Sequence, residues 1–151
     1  MAAMVGVLAC TDILEPGSPD GNRAFTGTWN GSAWSGRGYA VIHDDTLYLL
    51  GEEPLRPRGY DRYVRVQTPF RGSGRYIIDA GEGELGALDG DAGYFPPASG
   101  VLVVTSDGGS PRILEGRVWL SSTERGLPWK FEHGEFRVRV YTAFNQVPPP
   151  P

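Results

Sequence analysis

The chain has 151 residues, of which 40% are hydrophobic, and it contains 22 glycines, 13 prolines and one cysteine. This length is sufficient for one domain with its own core, and a single cysteine excludes a disulfide within the chain. The formal net charge of −4 argues against a nucleic acid as partner, because domains that bind nucleic acids carry basic surfaces.

The first ten residues are similar to the end of a bacterial lipoprotein signal peptide. Val7-Leu8-Ala9-Cys10 resembles a lipobox, so residues 1–10 are predicted to be a signal-peptide-like remnant with Cys10 as the lipidation site. No Lys or Arg precedes Cys10, although signal peptides ordinarily begin with basic residues, so a cysteine without lipid stays open as the alternative. Residues 11–23 are polar and rich in glycine and proline, which predicts a flexible tether. The expected location is the cell envelope or the cell exterior, with the membrane reached only through a lipid anchor.

Hydrophobic residues recur at every second position from residue 24 onward, which is the period of a half-buried strand. Asn30-Gly31 lies between two such segments and is typical of a two-residue hairpin turn. Strands are predicted at 24–30, 32–35 continuing into 38–43 through a bulge or bend at Gly36 and Gly38, 46–51, 60–68, 75–79, 84–88, 92–95, 101–106, 112–121, 129–132 and 134–144. No window shows a helical period. The expected fold is therefore an antiparallel β-sandwich, or a flattened barrel, of about 8–10 short strands. It covers residues 24–145, and a proline tail follows at 146–151.

The predicted strand at 134–144 has the clearest alternation in the chain. One face carries β-branched and aromatic residues and is predicted to be core: Phe136, Val138, Val140, Thr142 and Phe144. The opposite face is predicted to meet water: Glu135, Arg137, Arg139 and Tyr141. Arg137 and Arg139 make this face a candidate binding surface.

Several landmarks follow one another in a recognisable order: Phe25-Thr26-Gly27-Thr28-Trp29-Asn30-Gly31-Ser32-Ala33-Trp34, Gly74-Arg75-Tyr76, Tyr94, Gly100-Val101-Leu102-Val103-Val104-Thr105, Arg112-Ile113-Leu114-Glu115-Gly116-Arg117-Val118 and Gly134-Glu135-Phe136. Their order and spacing resemble a family of bacterial envelope lipoproteins of uncharacterised function. Val118 stands where an aromatic residue is usual in that family. The resemblance implies an all-β, envelope-anchored domain and carries over no catalytic residue.

Few residues suggest metal binding or catalysis. His43 precedes two aspartates, and His133 lies near Glu135, so two histidines and a carboxylate are weak candidates for a metal site. Asp89 and Asp91 flank a glycine in an acidic loop, an arrangement that suits calcium, although a solvated loop is the alternative. No Gly-x-Ser-x-Gly, HExxH or phosphate-binding loop is present. The chain is therefore predicted not to be an enzyme and to need no cofactor.

Charge is unevenly distributed along the chain. Residues 55–75 contain six arginines and one aspartate, and residues 79–91 contain three aspartates, two glutamates and no basic residue. The basic segment of one molecule, including Arg62 and Arg65, is predicted to meet the acidic segment of another, or an anionic partner. The alternative is that the two segments are solvated and partly paired within one fold.

Aromatic residues outside the predicted core suggest a second kind of surface, on which sugar rings stack: Trp34, Tyr39, Tyr63, Trp119 and Tyr141. The alternative for Trp34 and Trp119 is packing in the core. The preferred function is a non-catalytic envelope or surface domain that binds a partner, such as an envelope protein or a glycan, or assembles with copies of itself. A carbohydrate-binding module and an enzyme accessory or inhibitor domain are the alternatives.

Overall fold

The structure, a computed structural model, describes residues 16–53, 61–89, 92–126 and 128–148, except for the side chains of residues 89 and 92. These residues form nine strands: β1 (Phe25–Trp29), β2 (Ser32–His43), β3 (Thr46–Glu52), β4 (Asp61–Pro69), β5 (Gly74–Asp89), β6 (Ala92–Tyr94), β7 (Pro97–Gly108), β8 (Ile113–Ser122) and β9 (Lys130–Tyr141). A short 3₁₀ helix, Phe144–Gln146, follows β9. Cys10 and the predicted signal-peptide-like segment lie outside the described residues.

The strands close into an antiparallel barrel. Their order around the wall is β4-β3-β2-β1-β9-β8-β7-β5, and β4 also pairs with β5, so that eight strands form a ring. β6 adds to the end of β5. Beyond the first residue of β1, Phe25, two residues of β2 pair directly with β9 in parallel. The predicted antiparallel all-β fold is confirmed, and closure of the ring gives it the barrel form.

β5 closes the barrel because it is long enough to reach two neighbours. Its first residues, from Gly74 to Ile78, pair with β7, and the stretch from Gly83 to Leu88 pairs with β4. The register shifts between Ile78 and Gly83. An irregularity of this kind bends a strand and increases its twist, which lets β5 turn from one neighbour to the other.

Two pairs of separately predicted strands are in fact continuous. The segments 75–79 and 84–88 belong to β5, and the last two belong to β9; 32–35 and 38–43 both belong to β2, with the predicted bend between them. Glycines in these strands do not end them, and some mark close contacts. At Gly36, for example, a Cβ atom would lie 2.3 Å from the carbonyl oxygen of Glu52.

The barrel interior is filled by side chains, many of them aromatic. Phe25 lies at its centre, with its ring centroid 5.9 Å from Trp34, 5.9 Å from Phe131 and 5.6 Å from Phe136. All four of these side chains are buried. An eight-stranded barrel is just wide enough to be filled in this way, and each such side chain contributes roughly 1.5–3 kcal/mol through burial.

Trp34 belongs to this core and not to the surface. It is 2% exposed, since the register of the first hairpin places it opposite Gly27, on the inward face of β2. Its place in a predicted binding surface is therefore wrong, and the alternative of core packing is confirmed. Its indole nitrogen has no hydrogen-bond partner in the described part of the chain.

The prediction for 134–144 is correct for its first half and wrong for its end. Phe136 and Val138 are buried as predicted, but the strand ends at Tyr141 and Phe144 is 53% exposed. The chain leaves the sheet because the Thr142 backbone N–H and hydroxyl both donate to the Gln146 side-chain oxygen, at 3.1 Å each. Phe144 packs instead on Tyr48, on the outside of the wall.

The described part of the predicted tether, residues 16–23, folds back on the barrel. The Gly17 backbone N–H donates to the Arg23 carbonyl oxygen at 2.8 Å. Arg139, on the outer face of β9, pairs with Asp20 at 3.0 Å. Residues 11–15 and 149–151, which belong to the predicted tether and proline tail, lie outside the described residues.

Candidate functional site

A groove of about 500 Å³ lies on the outside of the barrel wall, across β2, β3 and β4. We call it the outer groove. Aromatic, aliphatic and polar side chains line it: Tyr39, Tyr48, Leu49, Leu50, Glu52, Tyr63, Arg65, Gln67, Leu88, Phe95 and Phe144. Pockets of this size are within the usual range for small-molecule ligands.

Strand register brings the side chains of the outer groove together. Leu50 of β3 pairs with Tyr39 of β2 on one side and with Arg65 of β4 on the other. Side chains that are paired across strands project from the same face of a sheet, so these three form one row across the wall. Tyr48 with Gln67 forms part of the next row.

Pairs of aromatic rings flank these rows. The rings of Tyr48 and Phe144 meet edge to face with centroids 4.9 Å apart, and those of Tyr63 and Phe95 are tilted at 36° with centroids 5.7 Å apart. Phe95 and Phe144 are 46% and 53% exposed. The outer groove therefore presents large apolar surfaces to solvent at both ends.

Tyr63 is held flat against the sheet. Its hydroxyl donates to Glu84 at 2.7 Å, and a Cβ atom on Gly86, directly across β5, would lie only 2.1 Å from its ring. The ring therefore occupies the space that a side chain at position 86 would fill. Burial, and then the hydrogen bond to Glu84, raise the pKa of Tyr63.

Two ion pairs border the outer groove. Arg65 pairs with Glu84 at 3.1 Å, and Arg37 pairs with Glu52 across β2 and β3. Burial raises the pKa of Tyr39; the charge of Glu52 also raises it, and the charge of Arg37 opposes the change. The charges beside the outer groove thus cancel within the protein.

The predicted basic and acidic segments are neighbours in the fold, because β4 carries much of the first and β5 much of the second. Arg65 pairs with Glu84, in the predicted acidic segment, and Thr68 donates to Glu82 at 3.1 Å. Arg62 instead binds Glu53 with two side-chain hydrogen bonds of 2.8 and 3.2 Å. The alternative of partial pairing within one fold is confirmed for Arg65.

A second surface, on β8 and β9, carries two solvent-accessible ion pairs. Arg137 pairs with Glu115 at 2.9 Å, and Arg117 pairs with Glu135 at 3.3 Å. These four residues line a shallow polar pocket of about 500 Å³. Arg137 is exposed as predicted, but its partner is a carboxylate of the same molecule. Trp119 is half-buried on the outer face of β8, which lies opposite β3 in the ring. The prediction that it shares one surface with Tyr39 and Tyr63 is therefore wrong.

The metal candidates do not converge. His43 contacts Asp44 at 3.2 Å, and His133 lies in an exposed irregularity of β9 with φ of 51°. Among the described residues, no three His, Cys, Asp or Glu side chains are grouped so that they could hold a metal ion. The Asp89 side chain and all of Asp91 lie outside the described residues.

Sequence reasoning found Tyr39, Tyr63 and Arg65 but missed the other eight described residues that line the outer groove, among them Tyr48, Gln67, Phe95 and Phe144. A signal was present for Tyr48 and Gln67. The alternation in 46–51 and 60–68 puts Tyr48 and Gln67 on faces opposite the core. The period of two placed Phe144 on the core face of the predicted strand 134–144, which is wrong because the strand ends at Tyr141. It assigned no face to Phe95, which lies between β6 and β7.

No family model, curated protein or solved structure matches the chain. In the described part of the chain, no helix is both long enough and apolar enough to cross a membrane.

Proposed function

We propose that the protein is a non-catalytic binding domain of the cell envelope or cell surface, held there by lipid on Cys10. The observation that carries the proposal is the contrast between the two sides of the barrel wall. The described part of the interior is filled by buried side chains, among them Phe25, Trp34 and Phe131. The outer groove keeps half-buried and exposed aromatic rings in reach of solvent.

Binding at the outer groove is tested with isolated cell envelopes of the organism that makes the protein. The full chain is mixed with envelopes, and the fraction that sediments is compared with that of a Tyr39→Ala/Tyr63→Ala variant. We expect retention of the unmodified chain and at least a fivefold loss for the variant, whereas Trp119→Ala, on the other side of the barrel, is retained normally. The proposal would be contradicted if the unmodified chain is not retained, or if the unmodified chain and the Tyr39→Ala/Tyr63→Ala variant are retained equally.

The anchor rests on the similarity of Val7-Leu8-Ala9-Cys10 to a lipobox and is tested separately. Cells that express the full chain are grown with radiolabelled palmitate. We expect label on the protein and its recovery with membranes, and loss of both in Cys10→Ser. An unlabelled protein in the soluble fraction would remove the anchor from the proposal and leave the binding domain.

Self-association is a second candidate, favoured by the two ion pairs on the surface of β8 and β9. Alternating positive and negative side chains on one exposed face are able to exchange partners with an identical face. Sedimentation velocity at low and high salt tests this: dimers or larger species at low salt that dissociate at high salt are expected, and Arg117→Glu/Arg137→Glu should abolish them. A monomer at both salt concentrations would reject self-association.

A further inference from the structure

We infer that the outer groove binds a neutral oligosaccharide. This inference rests on the proposed function and names its ligand class. The surface is built from tyrosine rings and polar groups that lie side by side in cross-strand rows. The features below each restrict the chemistry of the occupant.

The first feature is a ring that is already in position for stacking. Tyr63 lies over Gly86 and is fixed by its hydrogen bond to Glu84. A ring that is oriented before binding loses little conformational entropy when a ligand arrives. The negative face of an aromatic ring attracts weakly positive hydrogens, and the C–H face of a pyranose presents them in a plane.

The second feature is a set of hydrogen-bonding groups that the described residues leave without a partner. The hydroxyls of Tyr39 and Tyr48 and the side-chain amide of Gln67 make no hydrogen bond within the described part of the chain. Tyrosine hydroxyls both donate and accept, and an amide offers two donors and an acceptor. Adjacent sugar hydroxyls, which also donate and accept, match this set.

The third feature is charge balance. Arg65 is paired with Glu84, and Arg37 is paired with Glu52, so these described charges at the border of the outer groove balance each other. An anionic or cationic ligand would have to separate one of these pairs. A neutral ligand can accept hydrogen bonds from the arginines while the pairs remain.

The fourth feature excludes recognition by strand addition. β2, β3 and β4 form the floor of the outer groove, and each is hydrogen-bonded to a strand on both sides. An extended peptide that adds to a sheet needs a free edge, and this floor has none. The occupant must therefore be recognised without added strand pairing, a mode that is open to saccharides.

The test uses the full chain and three neutral trisaccharides: cellotriose, maltotriose and chitotriose. Titration calorimetry is expected to show binding of at least one of them, with no more than a twofold change in Kd between low and high salt. Tyr63→Ala and Tyr39→Ala should each weaken binding tenfold or more, and Gln67→Ala about threefold. Trp119→Ala is the aromatic control on the far wall and should leave Kd unchanged.

Variants that fail to fold are identified by circular dichroism, and Tyr39→Phe then serves as the milder variant, since it removes only a hydroxyl. No binding to any of the three sugars, binding unaffected by the tyrosine changes, or an equal loss in Trp119→Ala would overturn the inference. Trigalacturonic acid, an acidic trisaccharide, is titrated in parallel, and tighter binding of it than of the neutral sugars would also overturn the inference. If envelopes retain the chain through the outer groove but no sugar binds, the proposed function stands and only the ligand class fails.

Discussion

Replacing Gly86 by alanine should displace the Tyr63 ring without removing it. The new Cβ atom would lie 2.1 Å from the ring carbon that bears the hydroxyl, whereas an ordinary contact begins at 3.4 Å. The ring must therefore withdraw by about 1.3 Å, the difference between these two distances. A shift of that size breaks the 2.7 Å hydrogen bond to Glu84.

The expected cost follows from two opposing effects. A hydrogen bond to a charged group contributes about 1.5–3 kcal/mol, and this one, on a half-buried residue, belongs at the low end. Alanine is better than glycine within a strand by roughly 0.5–1 kcal/mol. The free energy of unfolding should therefore fall by about 1 kcal/mol. Gly81→Ala, in the same strand, is the matched control, since nothing lies within 4 Å of its added Cβ.

Denaturant unfolding of four chains separates the steric effect from a general effect on β5: the unmodified chain, Gly86→Ala, Tyr63→Ala and the double variant. Once Tyr63 is alanine, Gly86→Ala should no longer destabilise and should gain up to about 1 kcal/mol. The change in the free energy of unfolding caused by Gly86→Ala should thus differ by about 1.5–2 kcal/mol between the unmodified chain and the Tyr63→Ala variant, and this difference is the coupling energy of the two positions. An equal cost of Gly86→Ala in both backgrounds would refute the argument that the ring occupies this space.

Three further outcomes are expected. Phe131→Ala should lower the free energy of unfolding by about 3–5 kcal/mol, against less than about 1 kcal/mol for exposed Phe144→Ala; equal losses in thermal unfolding would contradict the filled interior. The pKa of Tyr63 is raised in the folded state above its ordinary value of 10.0. The contribution of its protonated hydroxyl to the stability of the fold is therefore complete below pH 10, and it is lost as the pH rises through the higher folded-state pKa. Absorbance at 295 nm should therefore show no Tyr63 ionisation near pH 10, and an unchanged titration there in Tyr63→Phe would support this. Glu53→Ala should cost about 3 kcal/mol in denaturant unfolding, because it leaves Arg62 without its bidentate partner; a loss below about 1 kcal/mol would mean that Arg62 finds water instead.

The strands were predictable because their period is local, but closure of the barrel was not. A period of two assigns each residue to a face and says nothing of which strand lies beside it. Barrel closure depends on β5 pairing with both β4 and β7 through a register shift near Ile78. In the sequence, the glycines near Ile78 are as compatible with the end of a strand as with a bend within it. Only packing against the neighbouring strands distinguishes these two possibilities.

The position of Trp34 shows what stricter use of the hairpin would have predicted. A two-residue turn at Asn30-Gly31 pairs Trp29 with the residue immediately after the turn, Ser32. Counting away from the turn along both strands then places Trp34 opposite Gly27, on the same face as Trp29. The burial of Trp34 was therefore predictable from turn length, whereas the approach of Phe144 to Tyr48 depends on a turn that has no periodic signal.

The charge segments show why a block of like charges in a sequence is not yet a charged surface. In an antiparallel hairpin, the register of two consecutive strands places one segment beside the other, so charges of opposite sign can pair across the strands, as Arg65 and Glu84 do. The same logic holds for Arg137 with Glu115, on β9 and β8. Each such pair produces little field beyond a Debye length of about 8 Å. The proposed recognition at the outer groove therefore depends on shape and hydrogen bonds at contact distance more than on long-range attraction of a charged partner.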